Sequence, residues 1–261
     1  MTFETVDLQI KPPFAYITFN RPEVKNAINR KLTAEIKAAF DSLRDNHDVR
    51  AIVLSGAGGT FCAGGDLNEM REAYGGGGSA GEENFEHVLT AINTAPQVVI
   101  AKIEGAAMGG GFGMVCVADI AVATESAKMG LPEVKLGIAP SFISPYVIER
   151  IGFTRARELM LTGRRFDGNA AKGYGLVHDV VAPDAIDAHV DGLLDTLRGC
   201  SPNSIRKIKE LMFTVKDVPF ADTVEYRANL LDEMRTSDDA KEGIAAFMGK
   251  RKPVWANTGG E

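Results

Sequence analysis

The chain has 261 residues, of which 45% are hydrophobic and 25% are charged, so it is long enough and apolar enough for a globular domain with a full core. Its formal net charge of −6 argues against a general binder of nucleic acid or of anionic membranes. The three cysteines are far apart and odd in number, which indicates no disulfide framework and no metal site, and favours a reducing, cytoplasmic compartment.

Short apolar runs alternate with helical patterns in the first part of the chain. Residues 1–10 contain two acidic side chains and no apolar core, so they predict no signal peptide. Periodicity predicts a hairpin from residues 7–10 and 14–19, a helix over 31–46, a strand over 51–54, a glycine-rich loop over 74–81 and a helix over 82–93.

The stretch around which the chain is organised follows at residues 96–113. Residues 97–103 are mostly β-branched and apolar, which predicts a buried strand. Gly109-Gly110-Gly111 follow shortly after it and would be poor residues for a helix interior. At a helix N-terminus they would instead leave free backbone N–H groups open to close approach, at the positive end of the helix dipole.

Another glycine-rich turn precedes it in the chain, at residues 58–70, between the predicted strand at 51–54 and a predicted helix. In chain order, residues 58–70 are the first glycine-rich turn and the turn at Gly109 is the second. Two such turns can each offer one N–H to a single oxygen. The sequence therefore predicts an oxyanion hole built from the backbone, the arrangement that stabilises an enolate or a tetrahedral oxyanion.

Helical patterns dominate the second half of the chain. The pattern predicts a strand over 120–123, a short extended piece at 131–134, helices over 144–151, 154–161, 169–174 and 185–197, and a helical tail over 202–250 that is broken near 218–219 and at 237. This order predicts a layered α/β core with a helical C-terminal extension used for assembly.

Motifs spread over essentially the whole chain now allow a comparison. They are Asn20-Arg21-Pro22 with Lys25-Asn26-Ala27, the loop Phe61 to Leu67, Gly105 to Gly111 followed by Asp119-Ile120, Pro132-Glu133-Val134 with Leu136-Gly137, Leu161-Thr162-Gly163, Gly175-Leu176-Val177, and Glu242-Gly243 to Lys252. In this order they resemble the enoyl-CoA hydratase/isomerase (crotonase) superfamily. Within it, residues 136–146 are similar to bacterial methylglutaconyl-CoA hydratase-like members of leucine and acyclic-terpene breakdown.

The resemblance implies an α/β fold with a ββα spiral core of the crotonase type over residues 1–200 and a C-terminal helical trimerisation region over 201–261. It implies a homotrimer or a dimer of trimers that acts on an acyl-CoA thioester. Coenzyme A would enter as part of the substrate, and no metal or redox cofactor is expected.

Site residues follow from the resemblance position by position. The N–H groups of Gly65 and Gly110 would form the oxyanion hole, and Glu133 would act on the reacting carbons. The substrate would be bound by Lys25, Ala27, Ala63, Gly64, Asp66, Leu67, Gly113, Ser141, Ser144, Phe247 and Lys250, the last two from the C-terminal helices of the same or a neighbouring subunit.

The sequence departs from the family at one catalytic position. Hydratases of this family use two glutamates, and the second would fall at Gly113, which has no side chain. Glu133 alone leaves open hydration with help from Ser141, Ser144 or a water, double-bond isomerisation, and decarboxylation, which needs no base. We hypothesise that Gly113 makes room for a branched or carboxylated acyl chain. A non-catalytic acyl-CoA-binding protein is the alternative from another class.

Several of these residues also have a purely structural interpretation. Asp66 is more easily explained as a helix cap than as a catalytic group, and Ser141 and Ser144 would either cap a helix or face the acyl pocket. A dinucleotide-binding unit is disfavoured because the third glycine of its fingerprint is replaced by Cys116. Cys62 and Cys116 are expected to be inert core residues.

Overall fold

The computed structural model describes residues 2–74 and 82–257 of the chain. Its strands are β1 Val6–Lys11, β2 Phe14–Phe19, β3 Ala51–Gly56, β4 Val98–Ile103, β5 Ala106–Met108, β6 Ile120–Thr124, β7 Lys128–Gly130, β8 Phe166–Asp167 and β9 Asp179–Val181. Its α-helices are α1 Arg30–Arg44, α2 Leu67–Tyr74, α3 Glu82–Asn93, α4 Gly110–Val117, α5 Ser144–Ile151, α6 Phe153–Thr162, α7 Gly168–Gly173, α8 Ile186–Arg198, α9 Pro202–Val215, α10 Val224–Thr236 and α11 Asp238–Met248. The predicted glycine-rich loop lies, at residues 75–81, outside the described residues.

The larger sheet has six strands in the order β1-β2-β3-β4-β6-β9. β1 and β2 form the predicted antiparallel hairpin, and the strands from β2 to β9 run parallel to one another. Parallel strands need crossover connections, and these place helices over both faces of the sheet.

The pleat sorts the apolar residues of this sheet between two cores. One face presents Phe14, Val53 and Ile100, which form one cluster with Val190 and Leu194 of α8. The alternate residues on the other face belong to the main core, with the apolar stripes of α1 and α3. Burial on both faces explains why these strands read as continuous apolar runs.

A smaller sheet, β5-β7-β8, joins the two glycine-rich turns. β5 pairs parallel with β7, and β7 pairs antiparallel with β8. The strand that leads directly into Gly109 is therefore β5 and not the predicted strand at residues 97–103. Strands of two or three residues show no periodicity in the sequence, so β5, β7, β8 and β9 were not predictable from it.

The extended piece predicted at 131–134 is wrong, because residues Pro132–Leu136 form a 3-10 helix. Proline disfavours helix in the residue before it but is well suited to the first helical position, where its missing N–H has no partner in any case. The helical tail is confirmed, with its breaks between α9 and α10 and at Ser237. Within residues 2–74 and 82–257, no helix is both long and apolar enough to cross a membrane.

Candidate active site

The first glycine-rich turn is held from both sides by main-chain hydrogen bonds. Cys62 forms an isolated parallel bridge with Ala107 of β5, and Gly65 forms another with Ile28. In the second bridge, the N–H of Ile28 donates to the carbonyl of Gly64 (2.7 Å) and the N–H of Asp66 donates to the carbonyl of Ile28 (2.8 Å). Because the residues on either side make these bonds, the N–H of Gly65 points away from Ile28. It has no acceptor among the described residues.

The second glycine-rich turn begins where β5 ends. Gly109 has φ of 51°, a left-handed conformation that favours glycine, and its N–H donates to the carbonyl of Gly130 in β7 (3.1 Å). α4 then starts at Gly110, as predicted, and its first N–H groups have no partner within the helix. A Cβ on Gly110 would lie 2.7 Å from Ile28 Cδ1 and 3.0 Å from Phe85 Cζ, so a larger residue there would require these two side chains to shift.

The two turns adjoin each other. A Cβ built on Gly109 would lie 3.9 Å from the Cα of Gly64, and one built on Gly64 would lie 3.2 Å from the carbonyl oxygen of Met108. Gly64 also has a positive φ, of 102°. The backbones of the two turns therefore come closest at Gly64 and at Met108 and Gly109. Gly65 and Gly110, whose N–H groups have no acceptor among the described residues, are the next residues along each turn. Adjoining segments of this kind meet one requirement of the predicted oxyanion hole, which needs its two donors close together.

Glu133 stands beside these turns. Its Oε1 lies 3.0 Å from the position of a Cβ on Gly109. Its Oε2 is buried and has no hydrogen-bond partner among the described residues. Burial raises the pKa of this carboxyl, and a hydrogen bond from its own backbone N–H lowers the pKa by less. A buried, unpartnered carboxylate oxygen is costly, and such groups mark functional sites.

The space beside Gly113 is filled. A Cβ there would lie 2.3 Å from Cγ2 and 2.9 Å from Cβ of Ile143, and 3.6 Å from Cδ2 of Leu89. Ile143 is buried, with 3% of its surface exposed. The expectation that Gly113 opens room for the acyl chain is therefore wrong. An apolar wall stands where the family's second carboxylate would be, and Ile143 gave no sign of this role in the sequence.

Lys25, Ala27 and Ala63 lie together. The N–H of Ala63 donates to the carbonyl of Lys25 (3.0 Å), which places residues 25–28 along the first glycine-rich turn. Asp66 behaves as a helix cap: its Oδ1 accepts the N–H of Asn68 at the start of α2 (3.0 Å). Its Oδ2 forms an ion pair with Arg21 (3.0 Å), a residue for which no role was predicted.

Ser141, Ser144, Phe247 and Lys250 make no hydrogen bond to either glycine-rich turn in the described chain, whereas Leu67 lies within the first turn. The hydroxyl of Ser141 lies 3.4 Å from the carbonyl of Ala139 and that of Ser144 donates to the carbonyl of Ser141 (2.9 Å), so both hydroxyls bond within their own loop. Neither caps α5 through its side chain. Leu67 begins α2 and is 65% exposed. The other two, Phe247 and Lys250, are exposed at the C-terminal end of α11, and no contact in the described chain connects them with Glu133.

A polar pair that the sequence did not indicate lies near the wall. The hydroxyl of Tyr146 donates to Glu86 (2.7 Å), one residue after Phe85 in α3. Burial and the Glu86 carboxylate both raise the pKa of Tyr146. The two cysteines expected to be inert are buried, and burial raises the pKa of the Cys62 thiol to about 12.

Fold and site together define an α/β protein in which two glycine-rich turns adjoin each other and one buried carboxyl group lies beside them. A family model described as enoyl-CoA hydratase/isomerase matches residues 9–258. A probable enoyl-CoA hydratase of Rhizobium meliloti is 33% identical over 97% of this chain and 98% of its own. A peroxisomal Delta(3,5)-Delta(2,4)-dienoyl-CoA isomerase of Arabidopsis thaliana is 32% identical over 98% and 97%.

The solved structure of Pseudomonas aeruginosa AtuE superposes with a TM-score of 0.95, at 40% identity, over 97% of this chain and all of that one. The chain therefore belongs to the enoyl-CoA hydratase/isomerase family of enzymes and has the crotonase fold.

Proposed function

We propose that the protein adds water to a branched or carboxylated 2-enoyl-CoA and that Glu133 performs both proton transfers. The observation that carries this proposal is the buried, unpartnered Oε2 of Glu133 beside Gly109. A carboxylate oxygen in that state can accept a hydrogen bond from water, and water is the nucleophile that hydration requires.

The proposed reaction returns the carboxyl group to its starting form. The thioester oxygen accepts the N–H groups of Gly65 and Gly110. Glu133 takes a proton from water as the water oxygen bonds to the β-carbon, and the alkene electron pair moves onto the thioester oxygen to give an enolate. The α-carbon of the enolate then takes the same proton from Glu133. The oxyanion hole stabilises the charge that develops in the first step.

The substrate class rests on three observations. Residues 136–146 resemble methylglutaconyl-CoA hydratase-like proteins, which supports a branched, carboxylated acyl chain. The apolar wall of Ile143 and Leu89 supports the branch, because a methyl group would pack against it. The absence of a carboxylate at Gly113 removes a charge that would repel an acidic substrate.

Double-bond isomerisation is the second candidate, and the single carboxyl group favours it. Moving a double bond needs one proton taken from one carbon and returned to another, which a lone Glu133 performs without a bound water. The Arabidopsis relative carries the name of an isomerase, which supports this alternative.

Turnover of three thioesters separates these candidates. We expect 3-methylglutaconyl-CoA to be hydrated faster than crotonyl-CoA, and a 3-enoyl-CoA to be left unchanged. Conversion of the 3-enoyl-CoA alone would favour isomerisation. Inertness toward all three would refute both. Glu133→Gln should abolish turnover and keep acyl-CoA affinity; a parent protein that binds acyl-CoA without turnover would instead be a binding protein.

Substrate and assembly complete the proposal. Lys25, Ala27 and Ala63 would line the coenzyme A nucleotide, and no separate cofactor would be needed. Phe247 is 86% exposed and Met248 78% exposed at the end of α11. Such exposed apolar residues support assembly into a homotrimer or a dimer of trimers, in which Phe247 and Lys250 would reach the substrate of a neighbouring copy.

A further inference from the structure

Residues 25–28 form a strap along the first glycine-rich turn. Three main-chain hydrogen bonds fasten it: Ala63 N–H to Lys25, Ile28 N–H to Gly64, and Asp66 N–H to Ile28, at 3.0, 2.7 and 2.8 Å. Gly65, which is the oxyanion-hole residue of this turn, lies between the last two attachment points. A movement of the strap therefore moves the segment that carries the Gly65 N–H.

The shape of the strap is fixed by a buried asparagine. Lys25 and Asn26 have φ of 53° and 56°, a conformation that asparagine tolerates better than most residues. The side chain of Asn26 accepts the N–H of Arg21 (2.9 Å) and donates to the carbonyls of Ala57 and Thr60. With no exposed surface, Asn26 anchors the strap to the loop beneath it.

Arg21 connects the strap to the far side of the turn. One arm of its guanidinium donates to the carbonyl of Ala27 in the strap, and the other forms the ion pair with Asp66. The side chains of Arg21 and Asp66 are only 15% and 11% exposed. A partly buried fork of this kind is more rigid than a surface ion pair, and a lysine cannot make both contacts with the same geometry.

We propose that Arg21 is a positioning residue that couples the nucleotide end of coenzyme A to the oxyanion hole. This rests on the proposed function, in which Lys25 and Ala27 line the nucleotide. A nucleotide bound on the strap holds residues 25–28 against the turn, and the Arg21–Asp66 pair transmits that restraint to the segment that carries Gly65. The binding energy of the nucleotide, a part of the substrate that does not react, then helps to align the Gly65 N–H. Nucleotide binding therefore raises kcat as well as lowering KM.

The test compares an acyl-CoA with the pantetheine thioester of the same acyl group, which lacks the nucleotide. In the parent protein, kcat should be higher for the CoA thioester. Arg21→Lys and Asp66→Asn should each lower that kcat by about 10- to 100-fold, the effect expected when a reacting group is displaced by roughly 1 Å. Arg21→Lys should leave kcat for the pantetheine thioester nearly unchanged. Asparagine at position 66 keeps the cap of α2, so a loss in that variant reports the ion pair.

A variant of a different ion pair supplies the control. Asp119 pairs with Lys209 (2.6 Å) and contacts neither glycine-rich turn in the described chain. Asp119→Asn should lower stability and leave the kcat ratio of the two thioesters at the parent value. Equal losses for both thioesters in Arg21→Lys, or a change in KM alone, would overturn the proposal, as would equal kcat values for both thioesters in the parent.

A second readout separates this proposal from the proposed function. Acetoacetyl-CoA forms an absorbing enolate when an oxyanion hole stabilises it, and no water addition is involved. The parent should bind its enolate more strongly from the CoA thioester than from the pantetheine thioester, and Arg21→Lys should remove the difference. If this difference is present and no enoyl-CoA is hydrated, the coupling through Arg21 is supported and the proposed hydration is refuted. If it is absent in the parent, the coupling is refuted whatever the reaction.

Discussion

Placing a glutamate at Gly113, where the family's second catalytic carboxylate would be, should destabilise this protein because of Ile143. Its Cβ would lie 2.3 Å from Ile143 Cγ2, whereas carbon atoms in good contact are about 3.5–4.0 Å apart. Overpacking of this kind costs about 1–3 kcal/mol, and a buried carboxylate without a partner adds a similar amount. We therefore expect Gly113→Glu to lower the free energy of unfolding by about 2–6 kcal/mol.

A double-mutant cycle, measured by denaturant unfolding, tests this contact. Ile143→Ala alone should cost about 2–5 kcal/mol, because it leaves a cavity. The loss of unfolding free energy in the double variant should be smaller than the sum of the two single losses by about 1–3 kcal/mol. Gly192→Glu in α8 is the matched control, since a Cβ there meets nothing within 4 Å. It should gain up to about 1 kcal/mol from helix propensity. A coupling energy near zero, or a Gly113→Glu variant as stable as Gly192→Glu, would refute the reasoning.

Three further predictions concern the buried charged groups Glu133 and Lys209. Since burial raises the pKa of Glu133, kcat/KM should rise with pH through a value above that of an ordinary carboxyl; a midpoint at or below the ordinary value would contradict the burial. The same raised pKa means that the folded state binds this proton more tightly than the unfolded state, so stability falls as pH rises through the window between the two pKa values. Glu133→Gln should thus be more stable than the parent at neutral pH, with the gain vanishing in acid unfolding experiments. Asp119→Ala leaves the Lys209 ammonium buried and unpaired, which should cost about 3–5 kcal/mol, against about 0–1 kcal/mol for Asp232→Ala, whose partner Arg235 is exposed; equal losses would contradict this.

The parts of the site that could be predicted from the sequence depend on local signals. A cluster of glycines before an apolar run indicates a helix N-terminus, and this located the start of α4, whereas the role of Gly110 was assigned from the resemblance. Gly65 and Glu133 were found because short motifs around them resemble a family whose site is built from the same positions. Most helices of the chain were also predictable, since an apolar stripe such as that of α1 is a property of consecutive residues.

What could not be predicted depends on contacts between distant residues. Ile143 is 30 positions from Gly113, and nothing in its own segment shows that it fills the space of an absent side chain. Arg21 and Asp66 are 45 positions apart, and each has an ordinary local explanation, one in a turn and one at a helix cap. The short strands could not be predicted for the same reason, because two or three residues become a strand only when a partner strand lies beside them.

The small sheet connects the two glycine-rich turns with the segment that carries Glu133. β5 receives the first turn through the bridge to Cys62 and delivers Gly109 at its end. β7 holds the N–H of Gly109 through Gly130 and leads within three residues to Glu133. All three groups are thus placed by main-chain hydrogen bonds, which do not depend on side-chain identity. A glycine in place of glutamate at 113 alters one wall of the site and none of these bonds. The oxyanion hole that we propose at Gly65 and Gly110 would therefore be compatible with more than one choice of acid–base residues on the same fold.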